Sequence, residues 1–511
     1  MSVRRFFPLF FSVICSTCGP RTVTLDKMSS DAGRPPVITP DYTGIVLPPN
    51  IAPLNFRVRE PGRNYRIQLS SPHGTPVAIT SRTGSFRIPE KKWRALLGAN
   101  PGGTLRITVH VLDRDNKWRR FSPIQNRIAR EPIDPYLTYR SLSFLYNFSS
   151  DMHLHERQVT SFRDKQLLSS KNFYWGCVNC HLPESNNPER TVVEYRSNDF
   201  GSAAIIATDG AMQKLDARVS YPSWRPGGDI IAFSRSRVRQ CFHSTGRNPI
   251  DDYDLSSEIF VYDVTKKHFL DVPALCRQRM IQSWPTWSPD GRYLYFCSGP
   301  VLWNDFNKVP PDRYDEQRCS LLRIPFNGDH GSFGSIDTVL SSQITGRSIS
   351  QPRISPDGKF ALCCMHEYGP YPVTQASSDL YLIELSTGVY RRLNVSSDES
   401  ESWHGWSKNG RWIVFSSKRN GGILTRLYFA HVDATGRTGK PFILPQKDPS
   451  FYESDIRCFN LPELATAPVP YTERDLLRTI KSPDAVRAPL PEKPNGPAVS
   501  ENPSAEWSTL K

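Results

Sequence analysis

The sequence predicts an all-β chain: a β-propeller of five or six blades, preceded by a small immunoglobulin- or fibronectin-like sandwich and a short cysteine-bearing segment. Three observations predict it. Four segments repeat one strand–turn–strand pattern. The region before them alternates apolar and polar residues in short runs separated by turn residues. The 511 residues also hold 44 Pro and 31 Gly with 11% aromatics, a composition of turns and packed strands that excludes a disordered chain.

The N-terminal elements come first. Arg4 and Arg5 precede an apolar run, Phe6 to Ile14, and then Cys15-Ser-Thr-Cys18. A basic start, a short apolar stretch and small residues have the form of an export leader, too short to span a bilayer. A Cys at that place suggests a bacterial lipoprotein leader over 1–18, with Cys18 acylated once the residues before it are removed. Residues 19–40 are polar with Pro35-Pro36 and read as a tether. From 41 to 130 the alternating runs include Asn55-Phe-Arg-Val-Arg, Tyr65-Arg-Ile-Gln-Leu and Thr104-Leu-Arg-Ile-Thr-Val, interrupted by a helical stretch from Glu90 to Leu97. These make the sandwich.

The repeats decide the main domain, 201–460. They are Tyr221-Pro-Ser-Trp-Arg-Pro-Gly-Gly, Trp284-Pro-Thr-Trp-Ser-Pro-Asp-Gly, Gln351-Pro-Arg-Ile-Ser-Pro-Asp-Gly and Trp403-His-Gly-Trp-Ser-Lys-Asn-Gly. In each, Gly supplies the positive φ of a tight hairpin. An apolar strand follows each, as in Glu258-Ile-Phe-Val-Tyr and Asp379-Leu-Tyr-Leu-Ile. Strands repeated radially leave few exposed edges, which is the propeller solution. Insertions near 235–256, 298–318 and 365–378 all follow the same strand and should emerge on one face. Degenerate blades are expected near 190–215 and 440–460. Beyond 461 the chain turns Pro-rich and reads as a disordered tail, 461–511.

Between sandwich and propeller, 131–200 carries Cys177-Val-Asn-Cys180-His181. Cys-x-x-Cys-His is the attachment signature of c-type haem: two thiols add to the porphyrin vinyls and the next imidazole reaches the iron. With 11 Cys and 11 His in the chain, chance supplies on the order of 0.005 such matches. The expectation is covalent haem c on Cys177 and Cys180, with His181 as proximal iron ligand. Pro183 and Pro188 would break a helix after His181, so the haem would pack against the propeller or sandwich. For the sixth ligand, His243 in the first propeller insertion is preferred over His153, His155, His366, Met212 and Met365. A thioredoxin-like pair, a structural zinc and a plain disulfide are the competing uses of the two thiols. Of the other cysteines, Cys363 or Cys297 could pair across neighbouring strands.

The repeats resemble the WD40-like (PD40) repeats of TolB-type propellers over roughly 200–460. The order of leader, sandwich, Cys-x-x-Cys-His and propeller further resembles a family of TolB-like haem-c proteins from Bacteroidetes envelopes. The residues that carry this are Pro132-Ile-Asp-Pro-Tyr, Cys177-Val-Asn-Cys-His with Asn187-Pro-Glu-Arg, Tyr221-Pro-Ser-Trp, Ser416-Ser-Lys-Arg and Leu444-Pro-Gln-Lys-Asp-Pro. Thr191 to Arg196 departs from the family pattern in lacking its Met and His.

The resemblance implies an exported, periplasmic or outer-membrane protein, lipid-anchored, that transfers electrons or senses redox state beside an envelope protein partner. A TolB-like binding scaffold with structural haem is the alternative, and a peroxidase-like enzyme a third. Nucleic acid is not expected, because the formal charge of +14 is spread without any basic run. A Gly-x-Ser-x-Gly elbow and His-Glu-x-x-His are absent, which argues against a hydrolase of the prolyl-oligopeptidase kind or a zincin. Gly436-Arg-Thr-Gly-Lys440 lacks the length of a phosphate-binding loop.

Overall fold

Tight turns fix the local structure of the repeats. In Ser288–Arg292, Ser355–Lys359 and Ser407–Arg411 the Ser hydroxyl donates to the side chain of Asp290, Asp357 or Asn409 at 2.5–2.7 Å. The same oxygen accepts from the backbone two residues on. Gly291, Gly358 and Gly410 close these turns at φ of 66–73°, where a Cβ would be strained.

The computed structural model describes residue 25 and residues 28–143, 151–242 and 250–491. It contains six sheets of four or five antiparallel strands that succeed one another as blades. Their inner strands are Cys177–Glu184, Ser220–Trp224, Met280–Trp287, Ser348–Ile354, Glu401–Trp406 and Arg457–Ala465, in blades 1 to 6. Each inner strand touches the next, and the sixth touches the first, so the ring is closed. The chain is an all-β propeller protein.

Blades are stapled as well as packed. The indole of Trp224 in blade 2 donates to the Leu182 carbonyl of blade 1, and that of Trp406 in blade 5 to Arg353 of blade 4. Separate apolar clusters fill the spaces between successive blades.

The stretch 131–200 is not a segment of its own. Asp164–Ser169, His153–Gln158 and Tyr136–Ser143 pair in that order, and Tyr136–Ser143 pairs with Arg457–Ala465 to complete blade 6, with Tyr136 opposite Ala465. Cys177–Glu184 opens blade 1. The expected disordered tail likewise starts inside blade 6 and continues into a helix, Glu473–Lys481, capped by Thr472 and Asp475. Leu476 and Ile480 of that helix are buried against blades 6 and 1.

Before the propeller lie a seven-stranded sheet centred on Thr104–Leu112, a three-stranded sheet around Phe56–Val58, and the helix Glu90–Gly98. Ser30–Asp31 and Ile38–Thr39, within the expected tether, belong to these sheets. Leu105, Ile107, Phe56 and Trp93 share one continuous core with Leu362, Trp412 and Phe415 of blades 4 and 5. Among the described residues, no helix is long and apolar enough to cross a membrane.

Candidate functional site

The site is built where the six inner strands meet. In five of them the register shifts by a bulge, and the residue at the shift has positive φ: Tyr221, Trp284, Gln351, Trp403 and Leu461. A non-glycine residue held there is strained, and the strain recurs at one level of the ring. Four of these five open the sequence repeats; Leu461 is the counterpart in blade 6.

The bulged residues turn inward and close the channel. Tyr221 stacks on Trp284 with ring centroids 3.7 Å apart, and Trp403 meets Trp284 edge-on at 5.4 Å. Tyr371, from the blade 4 insertion, stacks over Trp284 at 6.2 Å. Below this plug lies a cavity of about 40 Å³ lined by all six blades, including Cys180, His181, Gln351, Arg353, Trp403, His404 and Glu463. That is room for a few water molecules.

Above the plug is the channel mouth. The connections between second and third strands of blades 2, 3 and 4, which carry the predicted insertions, stand on the side where the inner strands begin. Buried or half-buried charges gather there. Arg140 donates to Asn460 at 3.0 Å and to the Val178 carbonyl at 2.9 Å. Asp252 accepts from Gln240 at 2.8 Å, and burial raises its carboxyl to about 6. Burial lifts Asp254, only 1% exposed, well above the carboxylate range, and lowers the Lys418 ammonium beside Asp252.

The Cys-x-x-Cys-His motif lies on the inner strand of blade 1, between mouth and cavity. Its register places Cys177 opposite Arg196, Val178 opposite Tyr195 and His181 opposite Val193, with Asn179 and Cys180 bulged opposite Glu194. The Arg196 guanidinium donates to Ser220 of blade 2, and the Tyr221 amide of blade 2 lies against the Cys180 thiol. Both cysteines therefore face blade 2. Val178, Tyr195 and Val193 belong to the core on the other face, toward blade 6. His181, across from Val193, points that way, beside the Thr138 backbone. Neither of its ring nitrogens has a hydrogen-bond partner.

The chemistry of this donor set suits haem c: both thiols are free and the imidazole is bare. Burial lowers His181 to about 3, so the ring is neutral. The geometry does not suit it. A strand sets thiols and imidazole on opposite faces, whereas attachment needs them on one side of the macrocycle. In this fold the residues do not fit the group as placed.

The other ligand candidates are dispersed. His243 and Cys18 lie outside the described residues, as does the leader. His153 bonds Asp151, and His155 is held between Ser141 and Asp164 in blade 6. His366 is fixed by Ser350 and the Tyr368 carbonyl. Met365 is fully buried between blades 3 and 4, and the Met212 sulfur accepts from Thr479. Cys297, Cys319, Cys363 and Cys364 are buried free thiols, so the strand-to-strand pairing is not formed. Among the described residues no three of His, Cys, Asp or Glu are grouped to hold a metal ion. The lining residues that motif reading missed, Gln351, Trp403 and Arg353, were signalled by the opening positions of the repeats.

No family model matches the chain. An uncharacterized protein of Agrobacterium fabrum is 26% identical over 161 residues, covering 27% of this chain and 51% of its own length. The chain thus spans about half of that curated relative. Among solved structures it is similar to hydrazine synthase of Kuenenia stuttgartiensis, with 14% identity and a TM-score of 0.30 over 52% of this chain and 65% of that one. It is also similar to oligogalacturonate lyase of Vibrio parahaemolyticus, with 10% identity and a TM-score of 0.32 over 74% and 100%.

Proposed function

We propose that the protein is a binding propeller of the cell envelope that engages a partner at the insertion-bearing mouth of its channel. The observation that carries this reading is the convergence of three blade insertions on one rim that gathers Arg140, Lys418, Asp252 and Tyr371. Binding sites favour such concave places with a few convergent polar groups on an aromatic floor. The stacked Tyr221 and Trp284 fill the channel beneath the mouth, which suits recognition better than passage. Export, anchoring at Cys18 and an acidic envelope partner belong to the same proposal, supported by the leader and the charge of +14.

A second reading, an electron-transfer or redox-sensing protein with haem c on Cys177 and Cys180, is favoured by one observation: a buried His181 with two unpartnered nitrogens beside two free thiols. It requires the blade 1 inner strand to refold around the macrocycle. The full chain, leader included, made in a host with the haem-attachment machinery, separates the two. The first reading predicts an intact mass equal to the processed chain alone and no pyridine haemochrome. A covalent haem adduct lost in Cys177→Ser would overturn it in favour of the second.

A further inference from the structure

Hydrogen-bond bookkeeping in the channel cavity is lopsided. The Gln351 side-chain oxygen is fully engaged: it accepts from the Trp403 amide at 2.8 Å and faces the Cys364 thiol at 3.5 Å. Those contacts fix the orientation of the carboxamide, so its Nε2, with two N–H donors, must be the free end. It has no partner, although Gln351 is 6% exposed. The Trp403 indole N–H, a donor only, is also buried and unpartnered. Both residues line the same cavity of about 40 Å³. The neutral His181 ring, also in the lining with both nitrogens unpartnered, adds one donor and one acceptor, so donors stay in excess. Unpaired buried donors are costly, on the order of 1–3 kcal/mol each, and this excess calls for an acceptor between them.

The surrounding charge selects the kind of acceptor. Arg353 lines the cavity, and its guanidinium and that of Arg140 both act on His181. His404 donates Nε2–H to the Leu362 carbonyl at 3.0 Å and is neutral, lowered to about 3 by burial. The one acid in the lining, Glu463, is ion-paired with Arg353. Burial raises its carboxyl to about 7, so it readily becomes neutral beside a negative guest.

We propose that the channel cavity is a binding site for one small inorganic anion, of halide to nitrate size, held by the Gln351 Nε2 and Trp403 Nε1 donors next to Arg353. The plug of Tyr221 and Trp284 caps it. The site does not depend on what the mouth binds.

Bromide and nitrate are the probes, with gluconate, too large for the cavity, as the control anion at equal ionic strength. Melting of the full chain should rise saturably in bromide and nitrate over gluconate, as expected for a ligand that binds only the folded state. Crystals soaked in bromide should show an anomalous peak in contact with both donors. Gln351→Glu, which replaces the donors with a carboxylate oxygen, should abolish the shift. Trp403→Phe, which keeps the ring packing and removes one N–H, should weaken binding on the order of 10-fold. Melts equal in all three salts, a cavity holding water alone, or an unchanged shift in both variants would each overturn the proposal.

Discussion

At the scale of single residues, burial sets the protonation of the channel. Glu194 is 1% exposed opposite the bulge, and burial raises its carboxyl from 4.5 to about 8. The folded chain therefore holds this proton where the unfolded chain has lost it. Stability from this group is intact below about 4.5, declines as pH climbs toward 8, and levels off above. Glu194→Gln, isosteric and uncharged, should flatten the profile, so that wild type loses more melting temperature than the variant between pH 5 and pH 8. Equal slopes would show that the carboxyl ionises in the fold as it does in water. The motif at Cys177–His181 was legible in the sequence as a motif. Its facing was not, because a bulge of one residue opposite Glu194 decides which side of a strand each side chain takes. Spacing alone carries no sign of that bulge.

At the scale of elements, blades 2 to 5 were readable because each repeats a Pro/Gly turn and a channel-facing first position. Blade 1 was only half readable. Its first hairpin turns through Ser185 and Asn186, at φ of 47° and 66°, with neither the Gly of the other repeats nor the terminal Trp that three of them carry. Blade 6 was hidden by distance, since its inner strand and the other three are separated by nearly the whole propeller. The C-terminal elements give a graded test. Truncation after Thr466 removes Val469, Tyr471, Leu476 and Ile480 from the core. At about 1.5–3 kcal/mol each, that should lower the melting temperature strongly yet leave a folded monomer. Truncation after Ser454 also removes Arg457–Ala465 and leaves Tyr136–Ser143 an open edge, which should yield aggregates on size exclusion. A monomeric, cooperatively melting product of the longer truncation would show that ring closure is dispensable.

At the scale of the whole molecule, the sandwich and the propeller share one apolar core through Leu105, Trp93, Trp412 and Phe415. Their division into separate domains, natural from the sequence, does not extend to their packing. Calorimetry of the full chain should therefore give one endotherm rather than two, with calorimetric and van't Hoff enthalpies in agreement. Two resolved transitions would mean that the shared core contributes little to cooperativity.

The pairing of Tyr136–Ser143 with Arg457–Ala465 also has a consequence for synthesis. The ribosome delivers the outer three strands of blade 6 first, the last of them ending at Ser169, and the strand that completes them, starting at Arg457, nearly 300 residues later. At roughly 5–20 residues per second, those three strands wait on the order of tens of seconds with an unpaired edge. Closure of the ring thus waits for Arg457–Ala465, and a nascent chain of this protein depends on whatever shields that edge until that strand arrives.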